Sequence, residues 1–182
     1  SAVFDFGTVS VAPGGSPELR AEAETLLAEH GTVRSVPVIV PLARLRALGI
    51  AGPTERVDGL ARWIALQAAI LHPPSELRIY AVMSEARARS WDWLKWLPHT
   101  RTASMSDRPP LAVGEAGATA LLEEIAAELA PGGSPNQRTL VVIDGAVATD
   151  ARLVSRLLSA PAEFGRSIVW LTNEVSSLPN GI

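Results

Sequence analysis

Gly52 stands between an apolar run and the start of a helical pattern, and five residues further on come Val57, Asp58 and Gly59. A glycine in that place, followed four residues later by G-K-[S/T], would form a loop whose backbone amides cradle phosphates and whose lysine reaches them. Here the second glycine, the lysine and the hydroxyl positions are Val57, Asp58 and Gly59. A carboxylate in place of the lysine repels a phosphate, since like charges about 4 Å apart cost about 4 kcal/mol at an effective dielectric near ~20. Two readings follow for Gly52-Pro53-Thr54. It is a plain strand-to-helix turn, or a degenerate phosphate loop in which helix N-terminal amides bind the anion and Arg56 stands in partly for the lysine.

Asp144 ends the apolar run 139–144, the position from which an aspartate holds a magnesium-bound water beside a nucleotide. The next residue is Gly145, not an acid. A site lacking that second carboxylate would keep metal or nucleotide without orienting an attacking water. The structural alternative is an aspartate that caps the following loop through backbone amides. Thr172-Asn173, after the last strand, take the matching polar position or form an ordinary turn. The sequence therefore requires no cofactor, and ATP with magnesium is what a degenerate site would take. His30, His72 and His99 lie singly at helix ends, where a partly charged imidazole suits the C-terminal dipole, and no spacing suggests a metal. No G-x-S-x-G elbow or G-x-G-x-x-G turn is present.

The run Trp91-Asp92-Trp93-Leu94-Lys95-Trp96-Leu97-Pro98-His99 places three of five tryptophans in six residues. At helical spacing Trp93, Trp96 and Leu97 share a face, and Pro98 stops the helix. The segment reads as a helix end pinned by aromatics, serving as core or as a domain seam; an interface anchored by tryptophan is the functional alternative.

These residues need a scaffold, and the pattern supplies one. Strands are expected at 3–11, 36–40 (an edge strand, flanked by Pro37 and Pro41), 77–83, 111–113, 139–144 and 167–171, with another before Gly52. Helices are expected from Ser16 as N-cap to Gly31, from Thr54 to Leu71, through the Trp segment, at 118–130 and at 150–159. The helix through Trp63 is apolar on most sides, which marks it as an inside helix. Continuous β-branched runs alternating with helices indicate an α/β fold with a mostly parallel sheet covered on both faces. One domain over 1–182 is expected, with 1–35 leading into an α/β core at 36–182. Ligands in such a sheet bind beyond the carboxyl ends of the strands.

The 182 residues are 47% hydrophobic with a formal net charge of -3, so the chain folds and lacks the clustered basic surface that nucleic acid requires. It contains no cysteine, no signal-peptide pattern and no apolar run long enough to span a membrane. A start at Val3-Phe4-Asp5-Phe6 suggests a domain cut from something longer.

The Trp-Asp-Trp-Leu-Lys-Trp-Leu-Pro-His run, the strand beginning Glu76-Leu77-Arg78-Ile79, the helix ending Leu71-His72-Pro73 and Val142-Ile143-Asp144-Gly145 together resemble the EccC family. These are FtsK/SpoIIIE-type motor proteins of actinobacterial type VII (ESX) secretion systems. The likeness extends over nearly the whole chain and points to the first cytosolic domain, between the membrane helices and three ATPase domains. It implies a P-loop ATPase-like fold with a decayed nucleotide site, in the cytoplasmic part of a plasma-membrane protein. The role implied is non-catalytic coupling of the membrane anchor to the motors during protein export; a nucleotide-binding or weakly hydrolytic domain of the same motor is the alternative. Implied partners are the neighbouring ATPase domain and other membrane components of a secretion complex whose motor is hexameric. Nucleic acid is not among them.

Overall fold

A computed structural model describes residues 2–5, 16–30, 32–36, 39–42, 45–100, 109–128, 137–147, 149–159, 165–179 and 182. The chain divides into two compact units, 1–40 and 41–182. In the first, β1 (Ala2–Asp5) pairs antiparallel with β2 (Thr32–Val36), and α1 (Pro17–His30) lies between them in sequence. Ser16 caps α1 as its position requires, its Oγ accepting the Glu18 amide at 3.2 Å. The expected strand at 36–40 is displaced: β2 ends at Val36, Ile39 and Val40 are not in a strand, and Pro37 and Val38 lie outside the described residues. Proline cannot donate to a ladder, so the pairing stops where the prolines begin.

In the second unit, β3 (Ala47–Ala51), α2 (Thr54–Leu71), β4 (Leu77–Met83), α3 (Glu85–Trp91), β5 (Leu111–Val113), α4 (Gly114–Glu128), β6 (Arg138–Asp144), α5 (Ala151–Ser159) and β7 (Arg166–Thr172) form an α/β fold. The five strands are all parallel, in the order β3-β7-β6-β4-β5. Side chains alternate across the sheet as a two-residue period demands. Leu77, Ile79, Ala81, Met83, Leu140, Val142, Val169 and Leu171 pack on one face with Val57, Ala61 and Ala65 of α2 and with Trp91 and Leu94. Tyr80, Val82, Val141, Ile143, Ile168 and Trp170 pack on the other with α4 and α5. Both faces are covered, which explains the unbroken apolar runs.

Two helices differ from expectation. The inner face of α2 is alanine and valine, while Trp63, Ile70 and Leu71 point outward and are exposed. It is therefore half covered rather than inside. The Trp segment leaves α-geometry after Trp91 and continues as a 3-10 turn over Asp92–Trp96. With three residues per turn, Trp91 and Leu94 come into register and are buried, and Trp96 swings out to 73% exposure. Trp91 stacks on half-buried Trp93 with ring centroids 6.1 Å apart. Among the described residues no helix is long and apolar enough to cross a membrane.

Candidate functional site

Because β7 lies between β3 and β6, and β4 lies beyond β6, the turns after four strands open at the same edge of the sheet. Gly52 follows β3 with φ +148, a value that L side chains rarely adopt, and its amide donates to the Thr172 carbonyl at 3.1 Å. Pro53 precedes the first turn of α2, where a missing N–H costs nothing. Thr54 Oγ1 then donates to Asn173 Oδ1 at 3.1 Å, joining the turn after β3 to the turn after β7.

Asp144 is 1% exposed at the end of β6. Its Oδ1 accepts the Ala146 amide at 3.1 Å, and its Oδ2 accepts the Ser84 amide at 3.2 Å and the Ser84 hydroxyl at 2.6 Å. It caps its own loop and also ties that loop to the start of α3. Arg87, one turn into α3, lies between Asp144 and α2. Its Nε is 3.6 Å from Asp144 Oδ2, its Nη1 is 3.2 Å from Asp58 Oδ1, and its Nη2 donates to Asn173 Oδ1 at 3.3 Å. Asp58, at the position where a phosphate loop carries lysine, is buried beside it. Burial pushes the Asp58 pKa up, and neighbouring Asp144 adds to this; Arg87, Arg62 and the Trp91 indole pull the other way without prevailing.

Of the residues singled out from sequence, Gly52, Pro53, Thr54, Asp58, Asp144, Thr172 and Asn173 come to this edge. Arg56 is exposed on the first turn of α2, and the cation within the network is Arg87. Trp91 backs the site from the core, while Trp93 is half-buried and Trp96 and Pro98 are exposed. His99 is buried, its Nε2 donating to the His72 carbonyl at 2.8 Å, which fastens the Trp segment to the end of α2. Sequence reasoning missed Ser84 and Arg87. The signal was their place directly after β4, whose carboxyl end is one of the ligand-binding positions of a parallel sheet.

Gly145 has a steric reason. A Cβ there would meet Trp170 Nε1 at 2.6 Å and the Leu171 carbonyl oxygen at 2.9 Å. No acid fits at the position that would orient a hydrolytic water. A magnesium nucleotide does not fit this arrangement either: the Asp144 oxygens already have partners, and the position of the phosphate-binding lysine carries Asp58.

No protein-family model matches the chain. It is similar to EccC4 of the ESX-4 secretion system of Mycobacterium tuberculosis, with 37% identity over 101 residues, covering 56% of this chain and 8% of that protein. It is 30% identical over 127 residues to EccCa1 of ESX-1 from the same species, covering 65% of this chain and 16% of that protein. An EccC from Thermomonospora curvata matches at 35% identity over 74 residues, covering 41% of this chain and 6% of that protein. The chain thus spans under a fifth of the length of these relatives. A solved structure of Thermomonospora curvata EccC, comprising ATPases 2 and 3 with a signal sequence peptide, superposes with a TM-score of 0.53 at 16% identity, covering 81% of this chain and 31% of that one. The two share an α/β fold built on a parallel sheet.

Proposed function

We propose that the chain is an EccC-type domain, a non-catalytic, ATPase-like part of a type VII secretion motor protein. In this reading it couples a membrane anchor to the ATPase domains during protein export, on the cytoplasmic side of the membrane. The observation that supports it is Arg87, which joins Asp58, Asp144 and Asn173 at the edge where an active P-loop domain holds magnesium and phosphates. An ion-pair network of this kind binds α2, α3, β6 and β7 into one body, which suits a domain that passes on movement. Its partners are the adjacent ATPase domain of the same polypeptide and membrane components of the secretion complex, with the motor working as a hexamer.

The test is an export assay on the full-length parent carrying Asp58→Asn with Arg87→Met, a pair that keeps volume and charge balance. Loss of export with motor ATP hydrolysis retained is expected. Export at the normal rate from a folded variant would remove the network from the coupling path, and loss of hydrolysis with export would assign it to the chemistry.

A further inference from the structure

The sequence of α2 reads as an inside helix, yet only one of its faces is covered. Val57, Ala61 and Ala65 pack on the sheet. On the opposite side Leu60, Trp63, Leu66, Ile70 and Leu71 recur at helical spacing, each between 39% and 73% exposed. Between Gly59 and Leu71 the helix carries one charge, Arg62, which lies beside this stripe and turns its Nε back to the Asp58 carbonyl at 3.2 Å. At about 200 Å² per large side chain, the five present about 600 Å² of apolar surface, the upper end of what a monomer leaves exposed in one patch. Gly59 lies within the stripe. A Cβ there would meet nothing within 4 Å and the backbone is helical, so nothing inside the chain calls for glycine. Glycine is among the least favourable residues in a helix interior, and here it leaves a notch in the outer face.

We propose that this face is a dimer interface, which takes α2 of a second copy of the chain in antiparallel packing. The stripe complements itself in that arrangement. With a two-fold axis at the level of Ala65, Gly59 of each helix comes opposite Leu71 of the other, Leu60 opposite Ile70, and Trp63 opposite Gln67. Leu71 then fills the notch at Gly59. The charges agree with the same direction. α2 has exposed Arg56 near its N-terminus and no basic residue in its last turn. Antiparallel packing brings Arg56 of each copy to the C-terminal carbonyls of the other, where positive charge is favoured. The area is also sufficient: with Gly59, Gln67 and the Arg56 stem added, the stripe approaches the ~800 Å² per partner that a specific interface buries. The interface uses none of Asp58, Arg87, Asp144 or Asn173, so it stands apart from the reading of the carboxyl edge.

The experiment is analytical ultracentrifugation of the wild-type chain, Ile70→Glu, Gly59→Leu and Val175→Glu, from about 1 μM to about 1 mM, the span over which contacts of moderate to weak affinity assemble. Val175 is as exposed as Ile70 but follows β7, so Val175→Glu controls for the loss of any surface apolar group. The wild type and Val175→Glu are expected to double in mass with a common Kd. Ile70→Glu is expected to stay monomeric, because dimerisation would bury its carboxylate unpaired. Gly59→Leu fills the notch and is expected to raise the dimer Kd at least about tenfold, while the Tm of the monomer, read at the lowest concentration, does not fall. A wild-type chain that stays monomeric throughout overturns the proposal, as does an Ile70→Glu chain that dimerises like the wild type. Should Ile70→Glu not fold, Gly59→Leu decides: an unchanged Kd there overturns the proposal. The chain has no cysteine, so single replacements report the register. Under mild oxidation Gly59→Cys mixed with Leu71→Cys should cross-link to each other faster than either does to itself, and preferential linkage of Gly59→Cys to itself overturns the antiparallel packing.

Discussion

Two buried arginines lie at opposite ends of the same sheet and are accommodated in different ways. Arg87, at the carboxyl edge, is compensated by Asp58 and Asp144. Arg166, at the start of β7, donates to the Leu157 carbonyl in the last turn of α5, and its Nε and Nη1 find no partner among the described residues. Burial, with nearby Arg46, lowers the Arg166 pKa. One cation belongs to a charge network at the carboxyl edge, and the other serves a helix end, where carbonyls favour positive charge. A buried arginine therefore says little about function until its counter-charges are known.

Removing each arginine is the strongest way to break this comparison. Arg87→Met leaves two carboxylates buried together and is expected to cost about 3–5 kcal/mol in urea unfolding. Arg166→Met loses one hydrogen bond and relieves an uncompensated charge, so a change within about 1 kcal/mol is expected. Equal losses would erase the distinction.

Glycines at the two edges give a smaller contrast. Gly145→Ala forces a Cβ against the Trp170 indole nitrogen and a backbone carbonyl, at 2.6 and 2.9 Å, and should cost about 1–3 kcal/mol. Gly165, with φ +63, would bring its Cβ to 3.2 Å from Arg138 Cγ, the stem of a flexible side chain. Gly165→Ala should thus cost about 1 kcal/mol, mainly for the left-handed backbone. Thermal unfolding of the two variants should preserve that order.

The smallest effect is a pH dependence at the carboxyl edge. The Asp58 pKa is raised in the folded state by burial, so protonation favours folding. That contribution is fully present below the unfolded value and is lost as pH rises through the folded one. Relative to Asp58→Asn, the wild type should gain stability on acidification from neutral pH toward the ordinary carboxylate range. Parallel unfolding curves across that interval would contradict the assignment.

Much of the scaffold was legible from sequence because its signals are local. Continuous β-branched runs at 139–144 and 167–171 marked buried parallel strands, and Ser16 with Pro17 marked a helix start. The turn at Gly52 and the strand-terminal Asp144 were legible too, since their spacing to neighbouring elements is short. Arg87 was not, because its partners are Asp58 and Asp144, 29 and 57 residues away, and only the strand order brings them together. The Trp segment misled for a different reason. Its spacing assumes 3.6 residues per turn, and a switch to 3-10 geometry exchanges Trp96 for Leu94 on the buried face. Gly145 could be read as a missing acid, but the reason that no acid fits lies in Trp170 on the neighbouring strand.

The central claim is that the carboxyl edge of this parallel sheet, around Arg87, is filled by the protein's own charges. Calorimetric titration of the wild-type chain with ATP and ADP, with and without magnesium, tests it most directly. No heat of binding at millimolar nucleotide is the expected result. Micromolar binding that depends on magnesium and is lost in a folded Asp144→Ala chain would contradict the account.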